Sequence, residues 1–281
     1  MWYVGGSILT NVLLLVWLRV LRLPVTSLIT ANYFVCVVLA TFLAPPDLAA
    51  LTSLPVLGQV ALGVLGMLFI SVFVLTGLAA RQMGVGLAGM LAKLSVVWPV
   101  AFAAIILREP VSWTQVIGIV VGVAAIGVVH APYLRSEGWK KLWQASSIGL
   151  LLWLGNGLID IIFKAAHPYW KELSTLHVPL YIMAVAGLIG LLLHVAQAKG
   201  KKLFSLSLWK GAFVLGATNL LSIFFYLRGL EALPAVQFFL WNNLGIVLLS
   251  GMVGLLFFRE RFSWEVGVGY ALGLAALLLV S

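Results

Sequence analysis

Two ionisable residues, Lys93 and Asp160, each lie near the middle of a long apolar stretch of the sequence. A charged side chain at the centre of a hydrocarbon layer costs about 2.5–3.5 kcal/mol, so such residues mark functional sites by default. A lysine at this depth can bind or orient an anionic group, whereas an aspartate can bind a cation or exchange a proton. The two residues therefore predict a buried site that handles both signs of charge.

Other polar and aromatic residues extend this candidate site. Asn156 and Asp160 belong to a set that recurs every three or four residues, which places it on one face of a helix. The candidate substrate-binding residues are Asn11, Lys93, Trp153, Asn156, Asp160, Asn219, Tyr226, Trp241, Asn242 and Asn243. Asp160 is also the candidate for proton coupling. The deep tryptophans Trp98, Trp153 and Trp241 form a hypothetical aromatic lining for aromatic or cationic solutes, with plain packing as the equal alternative.

The charged residues also have purely structural interpretations. Asp160 and Lys164 are four residues apart, so they can form a local ion pair on one helix. Lys93 can reach a headgroup by extending its side chain along the membrane, or it can pair with Asp160 as a cross-link. The sequence leaves these alternatives open.

The asparagines carry a similar ambiguity, because buried asparagine often hydrogen-bonds a neighbouring membrane helix. Asn11 and Asn219 fit a site and a helix–helix contact equally well. Asn242 and Asn243 are adjacent, and therefore about 100° apart around a helix. One of them is expected to hydrogen-bond a neighbouring helix.

The composition identifies the environment of these residues. Hydrophobic residues make up 63% of the chain and charged residues 9%, whereas soluble domains carry about 25% charged residues. The chain is therefore predicted to be an integral membrane protein. Its net charge of +9 is explained by basic residues in loops, which orient membrane helices and contact anionic lipid headgroups. No nucleic-acid partner is therefore predicted. The single cysteine, Cys36, excludes an intrachain disulfide framework.

Ten apolar stretches are long enough to cross about 30 Å of hydrocarbon as helices. They are residues 2–18, 25–44, 57–80, 84–107, 113–131, 147–166, 174–197, 209–229, 235–258 and 264–281. Most prolines fall near their ends, as expected of residues that terminate helices. Ser112 and Gln115 predict a capping box for the fifth stretch, and Ser263 predicts a simpler cap for the tenth.

The sequence also contains an internal repeat. Residues 107–126 and 258–277 share eight identical positions, including an Arg-Glu pair and a Ser-Trp pair. The predicted organisation is a first five-helix repeat over 1–133, a connector over 134–146, and a second five-helix repeat over 147–281. An odd number of helices per repeat makes the second half enter the membrane from the opposite side. The repeats are therefore predicted to be inverted around a central cavity.

Three segments carry a resemblance to a known family: residues 93–100 (KLSVVWPV), 157–160 (GLID) and 241–250 (WNNLGIVLLS). With the ten stretches and the Arg-Glu turn of each half, the chain resembles the drug/metabolite transporter superfamily, specifically its EamA-like ten-helix members. The resemblance implies an all-α integral membrane fold with two inverted five-helix repeats. It also implies that helices 1, 3, 4, 6, 8 and 9 surround a central cavity, with helices 5 and 10 outside it.

Two glycine motifs have structural explanations. Gly84, Gly86 and Gly89 match a dinucleotide-binding pattern literally, but they open a membrane helix and are expected to serve close packing. The pairs Gly118/Gly122 and Gly269/Gly273 have the spacing of close helix contacts. They predict that helices 5 and 10 pack on a neighbour or on a second copy, which makes a homodimer possible. The histidines lack ligand spacing, so no metal site is predicted.

These observations predict a secondary active transporter in the plasma (inner) membrane, with several membrane crossings, no cofactor and no enzymatic activity. It would move a small organic solute, such as a metabolite, an amino acid or an organic cation, by alternating access, with export as the expected direction. The alternative is a non-transporting scaffold or receptor-like subunit. Most Lys and Arg residues lie in the connectors after odd-numbered helices, which places both termini outside the cytoplasm. The family resemblance implies the opposite orientation.

Overall fold

The fold is built from helices throughout the described part of the chain. The computed structural model describes residues 2–93, 95, 97–108, 110, 112–136, 139–171, 173–196, 205–260 and 263–280. These residues contain no β-strand and form twelve α-helices. The helices are α1 (Trp2–Val20), α2 (Val25–Leu43), α3 (Leu48–Ser53), α4 (Val56–Gln82), α5 (Val85–Lys93), α6 (Val97–Ile105), α7 (Trp113–Ser136), α8 (Trp139–Ala166), α9 (His177–Ala196), α10 (Leu206–Ala232), α11 (Ala235–Phe258) and α12 (Trp264–Val280).

Within the described residues, seven helical segments are long and apolar enough to cross a membrane. They are α1, α2, α4, residues 147–170 of α8 and the 3-10 turn that follows it, α9, α10 and α11. Helices α7 and α12 contain shorter apolar stretches at 113–125 and 267–276. The chain is therefore an all-α protein whose helices suit a multi-pass membrane location.

The fourth predicted stretch, 84–107, is not one continuous helix. Helix α5 ends at Lys93 and α6 begins at Val97. Pro99 explains the interruption, because its ring would clash with the carbonyl of the residue four positions earlier in a continuous helix. In α6 it occupies the third position, within the first turn, where proline is tolerated. The prediction of an unbroken helix here was wrong, and its consequence is that Lys93 sits at a helix end.

Several other helix ends differ from the prediction. Helix α7 runs through Pro132 to Ser136, and α8 already begins at Trp139, so helix extends into the predicted connector from both sides. The stretch 139–146 contains lysine, leucine, glutamine and alanine, which are good helix formers, and neither glycine nor proline. The short helix α3 (Leu48–Ser53) was not predicted.

One of the two predicted caps is confirmed. The Ser112 hydroxyl accepts a hydrogen bond from the Gln115 N–H at 3.2 Å, and the Ser112 N–H donates to the Gln115 side chain at 2.9 Å. This is the predicted capping box of α7. The Ser263 cap was wrong, because the Ser263 hydroxyl has no hydrogen-bond partner among the described residues. Only a backbone bond, from Gly267 N–H to the Ser263 carbonyl at 3.2 Å, marks that helix start.

Helices α7 and α12 pack against each other within the chain. A Cβ atom placed on Gly122 would lie 3.6 Å from the Cβ of Ala276 and 3.5 Å from a methyl of Leu244. Gly118 and Gly269 are buried as well. The glycine spacing therefore serves a contact inside one copy, and a homodimer through these helices stays a prediction.

Candidate functional site

A cavity of about 140 Å³ lies at the centre of the helices. Residues of α1, α2, α4, α5, α8, α10 and α11 line it, and the described side chains of α7 and α12 are not part of the lining. The polar members of the lining are Asn11, Tyr33, Thr76, Lys93, Asn156, Asp160, Asn219, Ser222 and Tyr226. The structure thus brings six of the ten candidate residues together, drawn from segments far apart in sequence.

Lys93 and Asp160 both line this cavity and are almost fully buried, with 9% and 4% of their surface exposed. Lys93 is the last residue of α5, where the negative end of the helix dipole favours its ammonium group. Burial disfavours the charged forms of both side chains, and the attraction between an ionised Lys93 and an ionised Asp160 offsets part of this cost. A buried charge pair of this kind can bind both ends of a solute that carries both signs.

The Asp160 carboxylate has one free acceptor. Its Oδ1 accepts a hydrogen bond from the Tyr226 hydroxyl at 2.6 Å, a length typical of a hydroxyl bonded to a carboxylate. Its Oδ2 has no hydrogen-bond partner among the described residues. The bond joins α8 to α10, whereas the local alternative with Lys164 would have joined two residues of α8. The unpartnered oxygen can receive a cation or a proton.

The asparagines of the lining also connect helices. Asn11 donates to the Ser222 hydroxyl at 2.9 Å, which links α1 to α10. Asn219 donates to the Asn32 side chain at 3.4 Å, which links α10 to α2. Both side chains therefore line the cavity and also make a helix–helix contact, and their role in a binding site stays a prediction. Asn156, in contrast, donates to the Leu152 carbonyl of its own helix at 2.9 Å.

Phenylalanine and tyrosine, rather than tryptophan, supply the aromatic part of the lining. Phe69, Phe73 and Phe163 line the cavity together with Tyr33 and Tyr226. The Phe163 ring is central, with its centroid 5.9 Å from that of Phe69 and 5.4 Å from that of Tyr226. The sequence analysis missed the phenylalanines, because apolar side chains in a membrane helix face lipid and cavity alike.

Four candidate residues lie outside the lining: Trp153, Trp241, Asn242 and Asn243. Trp153 packs beside Trp98, with ring centroids 4.9 Å apart. Asn242 and Asn243 are buried, and neither side-chain amide has a hydrogen-bond partner among the described residues. The expectation that one of them bonds a neighbouring helix was therefore wrong.

The position of the two asparagines is nevertheless close to the cavity wall. Asn242 precedes Ile246, which lines the cavity, by one helical turn on α11. The neighbouring position Gly245 faces α1, where an added Cβ would meet the Ile8 side chain. Their polar groups thus lie within the bundle, one turn along α11 from the central cavity.

Comparison with known proteins supports the fold across the whole chain. No family model matches the sequence. A protein of Haemophilus influenzae, described as uncharacterized, is 27% identical and aligns with 96% of this chain and 94% of its own length. One solved crystal structure superposes with a TM-score of 0.69 at 14% identity, covering 99% of this chain and 95% of that one. This likeness shows a shared fold: an all-α protein with several membrane-length helices.

Proposed function

We propose that the chain is a secondary active transporter of a small organic solute, and an EamA-like member of the drug/metabolite transporter superfamily. One observation carries the proposal. One cavity, lined by helices from both halves of the chain, contains Lys93 and Asp160, and one oxygen of the Asp160 carboxylate has no hydrogen-bond partner among the described residues. Burying two ionisable groups beside an open space costs free energy, and a scaffold gains nothing in return. A carrier, in contrast, needs such a site near the middle of the bilayer to bind its solute.

Equivalent backbone features in the two halves support ten membrane crossings in two inverted repeats. Helices α4 and α10 are both 27 residues long, beginning at Val56 and Leu206. The arginine of the repeated Arg-Glu pair has the same unusual backbone conformation in each half, with φ of 54° at Arg108 and 50° at Arg259. A non-glycine residue rarely adopts positive φ, so its recurrence at equivalent positions favours a duplicated unit.

The contacts between helices also fit a pseudo-two-fold axis. If α1, α2, α4, α5–α6 and α7 correspond to α8, α9, α10, α11 and α12, contacts should occur in related pairs. The α1–α10 contact is matched by α4–α8, and the α2–α10 contact is matched by α4–α9. Helices α2 and α9, α5 and α11, and α7 and α12 each contact their own counterpart. This pattern supports two interlocked halves of opposite orientation.

The cavity chemistry supports a metabolite, an amino acid or an organic cation as solute. Lys93 can hold a carboxylate or another anionic group, and Asp160 can hold an ammonium group. The Asn11, Asn156 and Asn219 amides can donate and accept hydrogen bonds, and the aromatic wall can stack on an apolar or cationic part. Proton coupling through Asp160 and export across the inner membrane belong to the same proposal.

The proposal is tested by solute binding and transport with the purified protein. A solute that binds only the folded state at about 100 times its Kd stabilises that state by about 2.7 kcal/mol. We expect stabilisation by one class among amino acids, nucleosides, organic cations and small acids, followed by its movement into proteoliposomes. Asp160→Asn and Lys93→Met should each reduce the stabilisation. The matched control is Asp47→Asn, because Asp47 is an exposed residue that caps α3 outside the cavity.

Asp160→Asn also tests the coupling ion. It should remove the dependence of transport on a pH gradient while residual transport persists. If pH dependence is unchanged, another group carries the proton. If no solute class stabilises the protein and none is transported, the transporter proposal is wrong.

A further inference from the structure

Glu260 joins three helices at one end of the bundle. It lies two residues after the end of α11, and its Oε1 accepts a hydrogen bond from the Arg19 guanidinium of α1 at 2.6 Å. The same oxygen accepts from the Val85 N–H at 2.8 Å, and Oε2 accepts from the Gly86 N–H at 3.2 Å. The carboxylate therefore caps the N-terminus of α5 while it pairs with α1. Hydrogen bonds to a charged group of this kind are among the strongest in proteins.

The backbone of α11 aims Glu260 at this position. Arg259 takes a left-handed conformation with φ of 50°, and the Glu260 N–H donates to the Gly254 carbonyl at 3.0 Å. Such a turn ends a helix and reverses the chain direction. The Arg19 guanidinium also lies over the Phe258 ring, 4.7 Å from its centroid. Both partners of the ion pair are thereby held in place by α11.

Glycines make room for the carboxylate. Gly84 has φ of +103°, and a Cβ added there would lie 2.6 Å from Glu260 Oε1. A Cβ on Gly86 would lie 3.1 Å from Glu260 Oε2. The two glycines belong to the motif that resembled a dinucleotide fingerprint in the sequence. Here they let a carboxylate approach the first turn of α5.

The contact lies one short helix away from the candidate site. Glu260 holds the first turn of α5, and Lys93 is the last residue of the same nine-residue helix, about 12 Å along its axis. Arg19 lies one turn beyond Leu15 of α1, which lines the cavity. Arg81 of α4 strengthens this end of the bundle by donating to the Leu18 carbonyl at 2.9 Å.

We propose that Glu260 is a latch that keeps this end of the central cavity closed and positions Lys93, an inference that rests on the proposed transport function. Alternating access requires the cavity to open at this end in another state. Helices α1, α5 and α11 would then separate, and the three hydrogen bonds of the Glu260 carboxylate would break. The latch sets the population of the closed state.

Cysteine labelling measures the opening of this end directly. A Thr76→Cys probe is placed on the cavity wall in a Cys36→Ala background, so that the buried native cysteine does not react. A membrane-impermeant maleimide is then added to either side of sealed vesicles. Glu260→Gln should speed labelling from the side of Arg19 by about tenfold, the change expected from losing one charge-assisted hydrogen bond.

The matched control is Glu231→Gln, which breaks the exposed Arg228–Glu231 pair (3.2 Å) at the end of α10, at the opposite end of the bundle. It should leave labelling from the Arg19 side unchanged. Arg19→Lys should retain slow labelling, because a cation still faces the carboxylate. Exchanging the two residues, Arg19→Glu with Glu260→Arg, should not restore slow labelling, because an arginine cannot accept hydrogen bonds from the α5 backbone.

The outcomes distinguish the latch from a general loosening of helix packing, and they are independent of the transport proposal. Faster labelling from the Arg19 side alone supports the latch, whereas unchanged labelling, or equal acceleration from both sides, overturns it. Arg19→Gln provides a milder variant if Glu260→Gln does not reach the membrane. The measurement needs no solute, so a failure to find a transported solute overturns the proposed function and leaves the labelling result intact.

Discussion

Two buried tyrosines of the cavity offer a matched test of its hydrogen bonding. Tyr226 donates to Asp160 at 2.6 Å, whereas the Tyr33 hydroxyl has no hydrogen-bond partner among the described residues. Both line the cavity, with Tyr226 9% and Tyr33 0% exposed. Replacing each with phenylalanine removes one oxygen and keeps the ring. The Tyr226 ring then still packs against Phe163 and Phe238.

The two substitutions should change stability by different amounts. A hydrogen bond to a charged group contributes about 1.5–3 kcal/mol, and its loss also leaves the carboxylate without a donor. Tyr226→Phe should therefore lower the free energy of unfolding by about 2 kcal/mol, the middle of that range. Tyr33→Phe removes an unsatisfied buried hydroxyl, so its effect should lie within about 0.5 kcal/mol of zero or be stabilising.

Thermal unfolding of the purified protein in detergent or nanodiscs measures both variants. The Tyr226→Phe midpoint should fall by about 4–8 °C, using about 2–4 °C per kcal/mol for a chain of this size. Tyr33→Phe should unfold at the wild-type temperature or above it. Equal destabilisation by the two substitutions would refute the assignment, because ring packing rather than the bond to Asp160 would then explain the loss.

Other substitutions test packing and selectivity. Gly216→Ala should cost about 1–3 kcal/mol, because its Cβ would lie 2.9 Å from a backbone oxygen of α2. Gly122→Ala should be neutral or stabilising by about 0.5–1 kcal/mol, because its Cβ meets only ordinary contacts; unfolding measurements compare the two. Gly84→Ala should cost at least about 1 kcal/mol through its positive φ, and a wild-type midpoint would contradict this. Phe163→Leu should change which solutes stabilise the protein, whereas Trp153→Leu should not.

The polar residues of the site were predictable because a polar side chain on a membrane helix has few positions of low free energy. Lys93 and Asp160 stand out in apolar stretches, and burial beside a shared cavity is the low-energy arrangement for such groups. Asn11 and Asn219 could be nominated by the same argument. Their simultaneous contact with Ser222 and Asn32 depends on how α1, α2 and α10 cross, which the sequence pattern does not specify.

Other features depend on tertiary structure or on overlooked local signals. Pro99 was a visible sign that the fourth stretch is interrupted, since proline blocks the preceding turn. The aromatic wall could not be separated from lipid-facing phenylalanines, because both environments are apolar. Glu260 lies in a connector, where a carboxylate is ordinarily solvated, and only the fold brings it to the first turn of α5.

The packing of α7 against α12 offers a position for an engineered disulfide. The described lining of the central cavity contains no residue of α7 or α12, so a covalent link between these two helices would leave that lining unchanged. The Cβ separation of 3.6 Å between positions 122 and 276 falls within the span of a disulfide. A disulfide made by Gly122→Cys with Ala276→Cys should therefore form and, under the proposed transport function, leave turnover running.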